Sequence, residues 1–178
     1  MRKIEYPIGK FGDIRDFVSK TVFDSFKADA RWFVSDNIVK VYDFLHQFFN
    51  DYYKELDSNV DYVLIKVNDW YYGGSFNNRG LRTYDYIASQ LAQGVKTAKL
   101  SQHIGGSTNA IDFNVILYFK GGKTLAVNSS TIYDLILKYE KEFIAAGLTT
   151  LEDKTIATTW THADCRYTGS PNIFIVKP

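Results

Sequence analysis

The chain contains three histidines, and two of them, His103 and His162, stand near carboxylates at turns and strand ends. His103 precedes a glycine turn, with Asp112 entering the strand beyond it. His162 lies in the segment Thr159-Trp160-Thr161-His162-Ala163-Asp164-Cys165-Arg166. Two imidazoles and one carboxylate suit a catalytic zinc ion, because three protein ligands leave the fourth tetrahedral position open to water. Water held there ionises near neutral pH and can attack a peptide carbonyl that the metal polarises. Spacing alone leaves a second reading open, in which the histidines are scattered structural residues. His46 falls on a helical apolar pattern without a matching ligand and reads as a structural or solvent-facing residue.

Strand parity sorts the neighbours of His162. Residues two apart share a face, so Asp164 stands beside His162, while Cys165 points the other way and reads as a core residue. Asp164 has three possible roles: general base, acceptor for an imidazole N–H, or ion-pair partner of Arg166. Glu152 and Asp153, assigned to a preceding loop, are further candidate carboxylates, although loop carboxylates are usually just solvated. Because Cys165 is the sole cysteine, an internal disulfide and an all-thiolate metal site are excluded, which fits a reducing cytosol.

Several elements must position these groups. A first helix is predicted from about Ile14 to Ala28. A second follows an N-cap at Ser35 or Asp36, with Ile38, Val41, Tyr42, Leu45, Phe48, Phe49 and Tyr52 at helical spacing. Asp61 to Asn68 reads as a buried strand feeding a Gly/Asn-rich loop, where Trp70, Tyr71 and Tyr72 would either wall a cleft or join the core. A short helix from about Thr83 to Leu91 leads to a long strand, Ala110 to Phe119. A third helix is capped by Ser130 and ended by Gly147 in the left-handed conformation. Short strands near Ile156 to His162 and Asn172 to Val176 finish the chain. Strands and helices without a regular βαβ rhythm indicate an α+β class. The expected form is a small central, mostly antiparallel sheet with helices packed on it and a single zinc site. The 178 residues suit one domain, residues 1–178, with N-terminal helices over 1–55 and the zinc-site core over 61–178.

Composition removes other classes. Twenty-one basic against twenty acidic residues leave a formal charge of +1, so neither nucleic acid nor an anionic membrane is an expected partner. No stretch approaches the roughly 20 apolar residues of a membrane span, and no apolar segment follows the basic N-terminal residues as a secretory signal would require. Aromatic residues make up 16% of the chain, enough to supply core, interface or ligand-stacking rings.

The segment Ser101-Gln102-His103, then Gly105-Gly106, then Ala110-Ile111-Asp112, resembles the Ser-x-His, Gly, Ala-x-Asp signature of the zinc D-Ala-D-Ala peptidase family. That family includes VanX- and VanY-like enzymes, phage endolysins and the hedgehog signalling domain. Trp160 to Arg166 resembles its terminal zinc-histidine strand, and Arg79-Gly80-Leu81-Arg82-Thr83 stands where the family carries a Gly-x-Arg-Ser type segment. The resemblance implies a hedgehog/DD-peptidase-like fold of the phage or prophage branch. It also implies Zn²⁺ ligands at His103, Asp112 and His162, and Arg82 on a substrate carboxylate or carbonyl. Ser101 would contact substrate or support the ligands, or be a plain turn residue before His103.

Two departures stand out. The Gly105 to Asn109 turn is longer than the family spacing, and Thr159 occupies the position, three before the last histidine, where the family commonly has its acidic base. Loss of a general base lowers the rate by about 10² to 10⁴; Asp164 is the expected substitute.

The leading expectation is a zinc metallopeptidase that hydrolyses peptidoglycan stem peptides, as a D-Ala-D-Ala carboxypeptidase or an L-Ala-D-Glu endopeptidase. It would be phage-encoded, made in the host cytoplasm without a signal peptide, and act at the bacterial cell wall by lysis or within a virion. The alternative is a virion structural or cell-wall-binding protein that keeps the fold with weak or no catalysis and contacts other phage structural proteins. A third reading, a metal-free interaction domain, treats the histidines as incidental.

Overall fold

Ten consecutive residues rich in β-branched and apolar side chains, Ala110–Phe119, form the longest strand and the spine of the protein. The computed structural model describes residues 3–95, 101–104 and 108–177; the Gly105-Gly106 turn lies outside them. Two short strands, β1 (Pro7–Ile8) and β2 (Gly12–Asp13), precede helices α1 (Ile14–Phe17) and α2 (Lys20–Phe26), a 3₁₀ segment Lys27–Phe33 and the long helix α3 (Asp36–Leu56). Strand β3 (Val60–Lys66), a 3₁₀ turn Trp70–Tyr72, helix α4 (Tyr84–Ala92) and the spine strand β4 follow. The chain ends with β5 (Thr124–Ala126), α5 (Ser129–Lys138), α6 (Glu140–Ala145), β6 (Thr150–Glu152), β7 (Thr161–Asp164) and β8 (Phe174–Val176).

The class is α+β. The larger sheet runs in the order β3-β4-β7-β6-β8, with β5 also on β4. It is mixed: β6 and β8 run parallel, and the other pairings are antiparallel. Helix α3, capped by the Ser35 side chain accepting from the Ile38 N–H, buries Ile38, Val41, Tyr42, Leu45 and Phe49. That apolar stripe recurs at three- and four-residue spacing, which is why one face of the helix seals one face of the sheet. The same apolar cluster takes in Ile14 and Phe17 near the start and Ala163 and Ile173 near the end.

Several predicted elements differ from those observed. The helix expected over Ile14 to Ala28 breaks at Val18, whose backbone is extended, and restarts at the Ser19 cap. The break frees carbonyls for distant donors: Val18 accepts from Asn68 Nδ2 at 3.0 Å and Trp70 Nε1 at 3.1 Å, and Phe17 accepts from the Leu81 N–H at 2.6 Å. The third helix is capped by Asn128 rather than Ser130 and is interrupted at Tyr139, whereas Gly147 does adopt a positive φ of 101°. The strand expected from Ile156 begins only at Thr161, because the Asp153 carboxylate and carbonyl gather the N–H groups of Thr155, Ile156 and Ala157 into a turn.

Candidate metal centre

Antiparallel pairing of β4 with β7 sets Asp112 directly opposite His162. Directly opposed residues share a face of the sheet. His103 arrives from the segment after α4, tethered by the Arg82 N–H donating to its carbonyl at 2.7 Å and by its own N–H donating to Ser101 Oγ at 3.2 Å. The Asp112 N–H donates to the Arg79 carbonyl at 2.7 Å, so residues 79–82 bridge the two ligand-bearing segments.

The three side chains converge. His162 Nδ1 lies 2.8 Å from Asp112 Oδ1, His103 Nε2 lies 3.3 Å from the same oxygen, and the two imidazole nitrogens are 3.3 Å apart. A tetrahedral zinc ion 2.0–2.1 Å from each of three such ligands would hold them roughly 3.3 Å from one another. All three groups are enclosed, with side-chain exposures of 1% for His103, 7% for Asp112 and 11% for His162. A buried His103-Asp112-His162 group that could hold a metal ion is therefore present.

The far side of each ring is committed. His103 Nδ1 donates to the Gly80 carbonyl at 2.7 Å. A carbonyl can only accept, so this bond leaves the Nε2 lone pair facing the cluster. His162 Nε2 stands 3.1 Å from Asp164 Oδ2, which leaves Nδ1 on the cluster side. Acceptors behind metal-binding imidazoles fix ring orientation and tautomer in this way. Gly80 itself is required by space, because a Cβ there would lie 2.1 Å from the Phe17 carbonyl oxygen.

Electrostatics follow the contacts. Burial pushes the pKa of Asp112 upward, but His103 and His162 outweigh it and hold the carboxyl well below the usual range. Burial, helped by the nearby positive charge of Arg82 and His162, lowers His103 below an ordinary histidine despite the nearby carboxylate. For His162, burial is overcome by hydrogen bonds to Asp112 and Asp164, and its pKa rises to about 9. Asp164, desolvated but bonded to His162 and Arg166, falls to about 2.

The cluster opens on a cavity of about 390 Å³ lined by Arg82, Ser101, Trp160 and Arg166 as well as the three candidate ligands. Compared with protein-family models, curated proteins and solved structures, the chain matches none.

The remaining candidates fall into place around this geometry. Arg82 lines the cavity, yet its guanidinium already donates to Asp112 Oδ2 at 2.6 Å, to the Asn78 carbonyl at 3.1 Å and to Ser101 Oγ at 3.5 Å. Asp164 is fully buried, with its carboxylate on His162 Nε2 and on the Arg166 guanidinium, and it does not line the cavity. Thr159 is exposed, and its carbonyl accepts from Asn114 Nδ2 at 2.6 Å. Cys165 is partly buried against the core, and burial raises its thiol to about 12.

Trp70, Tyr71 and Tyr72 do not line the cavity; Trp70 packs on the core, and Tyr71 donates to Asp16 Oδ1. His46 is buried beside Tyr42 and Phe11, within a different part of the molecule. Glu152, assigned from sequence to a loop, sits instead on β6 and lines the cavity. Its signal was weak, because a three-residue strand shows no periodicity. Trp160, Val176 and Lys177 line the cavity as well, and no sequence motif marks Val176 or Lys177.

Proposed function

We propose that the chain is a zinc-dependent peptidase acting on peptidoglycan stem peptides, of the D-Ala-D-Ala peptidase kind that its Ser101 to Asp112 and Trp160 to Arg166 segments resemble. One observation supports this reading above the others. Two imidazoles, each with its distal nitrogen hydrogen-bonded, meet a carboxylate at ligand spacing on the wall of a 390 Å³ cavity. A nitrogen-nitrogen-oxygen donor set with one open side suits Zn²⁺. Bound there, the ion would supply Lewis acidity toward a carbonyl oxygen and lower the pKa of water.

The chain's own residues would do the rest. Gly80 and Asp164 keep the two rings aimed. Arg82 anchors Asp112 Oδ2 and, with 24% of its side chain exposed, presents its remaining cationic edge to a substrate carboxylate or carbonyl. Arg166 and Lys177 add positive charge to the same cavity, consistent with a peptide that carries free carboxylates.

A second reading, a cell-wall-binding or virion protein with little turnover, is favoured by Thr159, which is exposed and contributes no carboxylate. Incubating zinc-loaded protein with purified peptidoglycan and weighing the released fragments by mass spectrometry separates the two. Release of D-Ala, or of fragments cut after L-Ala, supports the peptidase and names the bond. Sedimentation with the cell wall and no released fragment supports the binding protein.

A further inference from the structure

The peptidase reading needs a group that takes a proton from the attacking water, and neither Asp164 nor residue 159 can supply it. Asp164 is fully buried behind the His162 ring with both oxygens engaged by Arg166, and Thr159 has no acidic group. Two carboxylates line the cavity among the described residues, Asp112 and Glu152. Asp112 is committed to His103, His162 and Arg82.

Glu152 differs on every point. In the β6–β7 ladder, Thr150 opposes Asp164 and Leu151 opposes Ala163. Continuing that register by one residue sets Glu152 opposite His162, while β4 sets Asp112 on the other side of His162. Asp112, His162 and Glu152 thus form a row across three adjacent strands, all on one face. The β8 pairing of Glu152 with Val176 holds its backbone from the far side. Among the described residues its carboxylate makes no hydrogen bond or ion pair, and it is half-buried in the wall of the cavity.

We infer that Glu152 is the proton-accepting catalytic residue, replacing on a neighbouring strand the acid that position 159 lacks. This inference rests on the peptidase reading. In the step assigned to it, the Glu152 carboxylate accepts a hydrogen bond from water and takes its proton as the water oxygen bonds to the scissile carbonyl carbon. The same proton then passes to the departing amine as the C–N bond breaks, which regenerates the Glu152 carboxylate and leaves a free amine and a carboxylic acid that ionises by releasing its own proton to solvent.

Two measurements test this independently. Glu152→Gln should cut hydrolysis of peptidoglycan by about 10² to 10⁴ with zinc stoichiometry unchanged, and Glu152→Asp should recover part of the loss. An undiminished rate in Glu152→Gln would overturn the assignment, as would loss of the metal, which would make Glu152 a ligand. If wild-type protein binds zinc yet releases nothing, the peptidase reading fails, and the placement of Glu152 is decided without turnover. For that, cobalt-loaded protein is titrated with azide and followed by visible absorption. A carboxylate facing the open position repels the anion, so Glu152→Gln should tighten azide about tenfold. Equal affinity in both proteins would show that Glu152 faces elsewhere.

Discussion

The two halves of the interior are held by different physics. Where α3 meets α6, Phe44, Phe48 and Phe49 of the first and Phe143 of the second pack ring against ring, with Phe48 and Phe143 centroids 4.8 Å apart at 63°. Contacts of that kind are numerous, individually small and weakly directional. Around His162 the reverse holds: few atoms are involved, and each ring nitrogen has a named partner. The aromatic half therefore sets how firmly the chain folds, and the polar half sets what it can bind. Damage to one should leave the other largely readable.

The sharpest break of that contrast is expected from His162→Ala or Asp112→Ala. On the proposed zinc reading either should abolish stoichiometric zinc binding, read by metal analysis after dialysis, while circular dichroism of the folded protein is retained. In the other direction, Phe143→Ala removes a fully buried ring and should cost about 3–5 kcal/mol of stability by denaturant unfolding, with zinc still bound by the surviving folded fraction. A smaller effect sharpens the comparison within the polar half. Asp164→Asn keeps the shape behind His162 but weakens the acceptor, and zinc affinity should fall about 10–100-fold by competition with a chelator.

The pH response separates metal-loaded from metal-free protein. The His162 pKa is raised from 6.5 to about 9, so the imidazolium stabilises the metal-free fold fully below pH 6.5, and that stabilisation is lost as pH climbs through about 9. On the proposed zinc reading the ion would have to displace the same proton, so apparent zinc affinity should rise up to about tenfold per pH unit between pH 7 and 9 and then level off. Metal-free melting temperature should fall over that window. Smallest of all, Cys165, whose burial lifts its thiol to about 12, should react with a disulfide reagent at pH 8 only after unfolding.

What could be read from the chain and what could not divide along sequence distance. The strand Ala110–Phe119 and the helix begun by Ser35 have their signals inside themselves, as an apolar run and a cap followed by a regular stripe. His103 and His162 stood out because the chain has only three histidines, whereas Asp112, one of twenty acidic residues, was singled out by the resemblance of the Ser101 to Asp112 segment to a known signature. The break at Val18 was hidden because its cause lies at Asn68, Trp70 and Leu81, about fifty residues or more away. Strand β6 was missed because Thr150-Leu151-Glu152 is defined by β7 and β8 rather than by its own pattern. Strand parity set Asp164 beside His162, where it is found with Arg166, but that rule says which face a side chain shares and nothing of which ring edge it meets.

Gly80 touches both halves, with its Cα against the Phe17 carbonyl and its own carbonyl on His103. An ion seated among the imidazoles would therefore be felt at the kink between the first two helices. Amide protons there, Leu81 foremost, should exchange more slowly with deuterium once the cation is added, so that a remote stretch of backbone acts as a gauge of occupancy.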